Sequence, residues 1–172
     1  MTDPFETLGF EPVFDLDPAL LERRHRELSR ALHPDRYAGR PSSERRDALG
    51  RAIAVNHAFR ALKDPIARAE ALLGRHGKVV EEKGGVPADP TLLMDVLERR
   101  EALGDAKRKR DLDAVRRLAA EVAERERAAL AGITRGFSAT PPDLALVEQA
   151  LGELRYHRRF LDEVAAIEDE LG

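Results

Sequence analysis

Leu28-Ser29-Arg30-Ala31-Leu32-His33-Pro34-Asp35-Arg36-Tyr37 decides how the first half of this chain folds. A proline pushes the residue before it out of the helical region, so a helix entering this stretch ends at about Leu32. Upstream, Asp17-Pro18 supplies a cap and a first-turn proline. Between them Leu21, Leu28 and Leu32 fall on one stripe at helical spacing, and His25 falls on it too. Downstream, Tyr37 to Pro41 is a loop with Gly39 as its flexible point, and Ser42 or Ser43 is expected to cap a helix reaching about Leu62. Its expected buried stripe reads Leu49, Ala52, Ile53, Asn56, Phe59 and Leu62, with Asn56 a buried amide held by local hydrogen bonds. Two helices joined in this way make an antiparallel hairpin with His33-Pro34-Asp35 at its turn.

Working outward, Pro4 to Leu8 can form one helical turn, and Asp64-Pro65 restarts a shorter helix through Leu72 and Leu73 that Gly77 closes. Periodicity then fails from Lys78 to Pro90, where Gly84-Gly85, Pro87 and Pro90 accumulate. Three helical segments follow, over about 90–104, 109–135 and 142–171. Two of them carry heptad-like stripes, Leu112, Val115, Leu118, Val122, Ala129, Ile133 and Leu144, Val147, Leu151, Leu154, Leu161. The expectation is an all-α protein: a first domain over 1–77, a linker over 78–90 and an antiparallel three-helix bundle over 91–172.

Composition narrows the function. The 172 residues hold 29 basic and 32 acidic side chains, a net charge of −3, which offers no global footprint for nucleic acid or an anionic membrane. With no cysteine there are no disulfides, thiolate metal sites or Cys nucleophile on this chain. The five histidines are scattered without zinc-ligand spacing, so no metal or other cofactor is expected, and His25 reads as a core histidine. Met1 to Phe10 is acidic and lacks the basic-then-apolar layout of a secretion signal, and no apolar run approaches the roughly 20 residues that span a bilayer. A cytoplasmic protein is expected. The chain has no phosphate-cradling glycine loop and no Ser/His/Asp arrangement, so it is not expected to be an enzyme.

The chemistry of His33-Pro34-Asp35 suits recognition. Proline holds the turn rigid, so little entropy is lost on docking, while Asp35 offers a charged acceptor and His33 a second polar tip. A tripeptide of this kind occurs by chance in roughly 1% of chains this long at average residue usage; its place between two amphipathic helices is what gives it weight. Leu28 to Tyr37 resembles the J-domain signature, and Asn56-His57-Ala58-Phe59-Arg60-Ala61-Leu62 resembles the helix that follows it. Pro65-Ile66-Ala67-Arg68-Ala69-Glu70-Ala71-Leu72-Leu73 with His76-Gly77, and Leu93-Met94-Asp95-Val96-Leu97-Glu98-Arg99-Arg100-Glu101, are similar to the narrower HscB family. The resemblance covers almost the whole chain, least distinctively over 105–150. It departs at His25, where the family usually has an aromatic residue, and the N-terminal metal-binding cysteines of some eukaryotic members are absent.

This resemblance implies a co-chaperone that brings an iron–sulfur scaffold protein (IscU-like) to a dedicated DnaK-type chaperone (HscA-like) and stimulates its ATPase. It assigns His33, Pro34 and Asp35 to the chaperone, together with a basic face of Arg23, Arg26 and Arg30, spaced i, i+3, i+7, and Arg36 just past the loop. The alternative for that face is ordinary solvation, since Glu22 and Glu27 dilute it.

A second surface follows from the helix after the linker, which is apolar around too wide an arc. Leu92, Val96 and Leu103 suit the bundle core, whereas Leu93, Met94 and Leu97 point elsewhere, with Glu98 and Glu101 beside them. In the last helix Val147, Leu151 and Leu154 should face the core, and Tyr156, Phe160 and Ile167 form a separate stripe. Apolar patches rimmed by charge commonly mark interaction sites; the alternative is that both stripes pack the two domains together. By the resemblance, Leu93, Met94, Leu97, Glu98, Arg100 and Glu101 match scaffold-binding positions, and Tyr156 is the aromatic the last helix contributes, or Phe160 if the register slips. The competing function is a general J-domain protein presenting unfolded clients, which predicts binding to many apolar peptides instead of one folded partner.

Overall fold

The computed structural model describes residues 3–78 and 90–171, so the expected linker lies almost entirely outside the described residues. Every regular element among them is helical: α1 (Pro4–Leu8), α2 (Pro18–Ala31), a 3-10 turn (Pro34–Tyr37), α3 (Ser42–Lys63), α4 (Pro65–Arg75), α5 (Pro90–Lys109), α6 (Leu112–Ser138) and α7 (Leu144–Leu171). The chain divides into two compact units, 1–80 and 81–172.

Local chemistry sets the ends of these helices. Asp3, Asp17, Asp64 and Asp111 each turn a carboxylate back onto first-turn N–H groups, and a proline follows the first three. At the far end of α4, Lys78 N–H donates to the Leu73 carbonyl and Gly77 N–H to that of Gly74, with Gly77 at φ +74°. A left-handed residue in that place favours glycine, as expected from the sequence. The expected serine cap on α3 is not formed: Pro41 occupies the N-cap position and makes no side-chain bond.

In the first unit α1, α2 and α4 pack on α3 or on each other around Phe5, Leu8, Phe14, Leu21, Val55, Ala58, Leu62, Ala69, Leu72 and Leu73. Arg24 Nε donates to the Leu8 carbonyl at 3.0 Å, tying α2 to the end of α1, and Arg75 pairs with Asp3. The buried side of α3 differs from the expected stripe. Ala48, Val55, Ala58 and Leu62 are buried, whereas Leu49, Ile53 and Asn56 are exposed. The largest aliphatic side chains were expected inward, but close helix packing selects the alanine positions, which lie about a quarter-turn away. Asn56 bonds across to another helix: its Oδ1 lies 2.9 Å from His25 Nε2. His25 is half-buried and stacks on Phe59, centroids 4.0 Å apart and planes 11° apart, so the imidazole takes over the packing of an aromatic ring.

In the second unit the C-terminal half of α6 lies tightly on the N-terminal half of α7. Gly132 and Gly136 make this possible: a Cβ on Gly136 would fall 2.5 Å from Val147 Cγ2, and one on Gly132 3.1 Å from the Ala150 Cβ. Toward the other end α5 joins, giving a cluster of Leu103, Ala106, Val115, Val122, Phe160, Val164 and Ile167. This corrects the reading of α7, since Phe160 and Ile167 belong to the core. Early in α7 Val147 and Ala150 pack on α6; past Leu154 residues of α5 share the cluster, and the buried arc moves round to take in Phe160 and Ile167.

Candidate functional site

The hairpin turn presents His33-Pro34-Asp35 outward. His33 has extended backbone, φ −62° and ψ 135°, as the residue before a proline must. Its imidazole folds over the turn, Nδ1 accepting from the Asp35 N–H at 3.4 Å, while its carbonyl accepts from the Arg36 N–H at 3.0 Å. The same ring nitrogen lies 3.4 Å from an Asp35 carboxylate oxygen, and the Asp35 side chain is 89% exposed. The turn is therefore held by its own hydrogen bonds, and its carboxylate stands open to solvent. An exposed carboxylate beside an exposed imidazole can accept and donate hydrogen bonds at a partner's surface.

Arg23, Arg26, Arg30 and Arg36 are all exposed around this turn. Glu22 lies 3.7 Å from both Arg26 and Lys63, which orients one side of the basic face and bridges α2 to α3. Ion pairs this exposed add little stability.

On α5 the two arcs separate as the sequence indicated. Val96, Arg99, Leu103 and Ala106 are buried; Met94 and Leu97 are 58% and 52% exposed, with Glu98, Arg100 and Glu101 exposed beside them. Leu93 and Leu92 are each half-buried, less exposed and less buried respectively than expected; Leu93 lies at the seam between the two arcs, and Leu92 in the first turn of α5. Tyr156 approaches this face from α7: half-buried, its hydroxyl donates to the Val96 carbonyl at 3.2 Å. Burial raises its pKa, with Arg100 and Arg99 pulling the other way. Phe160, the other candidate aromatic, is inside the core.

Beneath that face lies an ionic clamp that sequence reasoning missed. Asp95 accepts a two-pronged contact from the buried Arg99 one turn along, 2.6 Å at one prong, and a third bond from Arg125 of α6 at 3.1 Å. Next to Tyr156, His157 is buried, and its Nδ1 has no hydrogen-bond partner among the described residues. Its pKa is lowered, first by desolvation; Arg99 and Arg125 act in the same direction and Glu153 and Glu126 against it. The Asp95-to-Arg99 spacing on one helix was the signal available for the clamp.

An all-helical chain with a rigid His-Pro-Asp turn on a helical hairpin, followed by a separate three-helix unit, has the build of a two-unit J-domain co-chaperone. Comparison with known proteins narrows this. The model of the HSCB C-terminal oligomerisation domain matches residues 88–165. A co-chaperone protein HscB homolog of Shewanella baltica is 34% identical over 171 residues, 97% of each chain, and one from Shewanella woodyi is 40% identical over 109 residues, 63% of each. The structure of chaperone HscB from Vibrio cholerae matches with a TM-score of 0.86 at 31% identity, covering 99% of this chain and 100% of that one. Human co-chaperone protein HscB shares the fold, with a TM-score of 0.88 at 23% identity over 98% of this chain and 83% of that one. The chain belongs to the HscB family.

Proposed function

We propose that this co-chaperone works as an adaptor with two faces. The turn of the first unit, through His33, Pro34 and Asp35 with Arg23, Arg26, Arg30 and Arg36, engages a DnaK-type, HscA-like chaperone and stimulates its ATPase. The α5 face of the second unit, through Leu93, Met94, Leu97, Glu98, Arg100 and Glu101 with Tyr156 at its edge, holds an IscU-like iron–sulfur scaffold. The chain itself catalyses nothing, acts in the cytoplasm, and aids cluster transfer by presenting the scaffold to the chaperone.

The observation that carries this reading is the exposure of the Asp35 carboxylate on a turn whose backbone is already satisfied. A rigid, charged, accessible acceptor can bind one conformational state of a partner better than another, which is what shifting an ATPase cycle requires. The exposed Met94 and Leu97 support a single folded partner over a general client site, since they form a compact patch bordered by charges of both signs.

The decisive test is chaperone turnover with scaffold present, comparing the wild type with Asp35→Asn and His33→Gln. Both variants should lose stimulation while keeping scaffold affinity and melting temperature. Full stimulation by both would remove the turn from the mechanism.

A further inference from the structure

Leu49 and Ile53 are large aliphatic side chains of α3 that lie in solvent, 56% and 50% exposed. Cross-helix contacts fix where they sit. His25 meets Asn56 and Phe59, and Glu22 meets Lys63, so α2 and α3 run antiparallel. Seven residues on from His25 and seven back from Asn56, Leu32 stands opposite Leu49; by the same count Leu28 stands opposite Ile53.

Glu22 also fixes the side. It approaches both Arg26 on its own helix and Lys63 on α3, so these share one face of the hairpin. At helical spacing, positions 22, 26 and 30 continue that face along α2, and 49, 53, 56, 60 and 63 continue it along α3. Arg26, Arg30, Leu49 and Ile53 therefore lie on a single surface, and the His-Pro-Asp turn follows directly from the end of α2.

Such a surface has two parts with different physical roles. Exposed charges speed encounter and fix orientation but contribute little affinity, whereas apolar side chains at the centre of an interface slow dissociation. We infer that Leu49 and Ile53 are the apolar anchor of the chaperone-docking face, seating against apolar surface of the DnaK-type chaperone while Arg26 and Arg30 meet its acidic surface. The inference rests on the chaperone role proposed above. A second copy fits poorly, because a two-fold contact centred here would bring two sets of Arg26, Arg30, Arg45 and Arg46 together.

The test uses the full chain and a purified DnaK-type chaperone with ATP that the wild type stimulates. Leu49→Ala/Ile53→Ala should leave the association rate and its salt dependence in place and raise the dissociation rate by roughly ten- to hundredfold, the range for losing a pair of apolar anchors. Stimulation should return at saturating concentration, and the melting temperature should stay near that of the wild type. Leu49→Gln/Ile53→Gln serves as a second variant of similar length; collapse of the fold in both pairs would show these positions to be buried and overturn the inference. An unchanged dissociation rate, with Asp35→Asn still inactive, overturns the anchor and keeps the docking turn. Stimulation surviving Asp35→Asn overturns the chaperone role beneath it. Loss of scaffold capture or of self-association in the Ala pair, with chaperone kinetics unchanged, assigns the patch to that other partner and also overturns the inference.

Discussion

Leu97 and Leu103 lie on one helix and offer the same truncation in opposite settings. Leu103 is 1% exposed within the cluster formed with Ala106, Val115, Val122 and Phe160, whereas Leu97 is 52% exposed. Leu103→Ala removes a fully packed side chain and leaves a cavity, a loss of about 2–5 kcal/mol. Leu97→Ala leaves no enclosed space and forfeits only part of a side-chain transfer energy, under about 1 kcal/mol, some of it returned by alanine's better helix propensity. In a domain of this size 1 kcal/mol moves the melting temperature by roughly 4–8 °C. Leu103→Ala should therefore lower it by about 10 °C or more, and Leu97→Ala by a few degrees. Scaffold affinity, measured well below both transitions, should fall for Leu97→Ala and hold for Leu103→Ala. Calorimetry and titration on the same two proteins check both halves. Equal melting losses would put Leu97 in the core, and unchanged affinity for Leu97→Ala would move the scaffold surface elsewhere.

Arg26→Ala/Arg30→Ala should slow chaperone association and flatten its dependence on salt, because exposed charges act over a screening length of about 8–10 Å; stopped-flow rates at two ionic strengths check this. Asp95→Ala strands the buried Arg99 guanidinium and should cost about 1–3 kcal/mol, read by thermal unfolding. His157 is held with a lowered pKa, so below its unfolded value near 6.5 the unfolded chain binds the extra proton and the folded one does not. Stability of the second unit should be full above pH 6.5 and fall as pH drops through that value, and His157→Gln should flatten the loss in melts between pH 5 and 7.5.

Signals written in the backbone were legible in the sequence. Prolines and aspartates mark helix starts, Gly77 marks a helix end, and the residue before Pro34 ends α2, because each acts through its own φ, ψ or cap. Which side of a helix is buried depends on its partners, and there the reading of α3 and α7 failed. On α3 the sequence offers Leu49 and Ile53 as core, but close packing takes Ala48 and Ala58. On α7 the arc moves where α5 joins, which no single-helix projection contains. Exposure followed residue order more closely: Asp35 lies out on a turn and Met94 and Leu97 face outward, although Leu93 is half-buried. The clamp was missed because Asp95 and Arg99 read as an ordinary surface pair until Arg125 of another helix closes over it.

That clamp explains how α5 can keep an apolar face in water. A helix with apolar residues over most of its circumference could rotate to bury Met94 and Leu97 in place of Val96 and Leu103, and hydrophobic burial alone distinguishes poorly between the two settings. Ionic contacts distinguish sharply. Rotation would carry Asp95 away from Arg125 and break the bond from the Tyr156 hydroxyl to the Val96 carbonyl. It would also turn the buried Arg99 toward solvent and bring apolar side chains against Arg125 of α6, a mismatch between polar and apolar groups. Buried ion pairs are poor sources of net stability but effective at selecting one arrangement among several of similar apolar content. Placed on the inner side of α5, this one favours the setting in which Val96 and Leu103 face inward and Met94 and Leu97 face outward, with Leu93 half-buried.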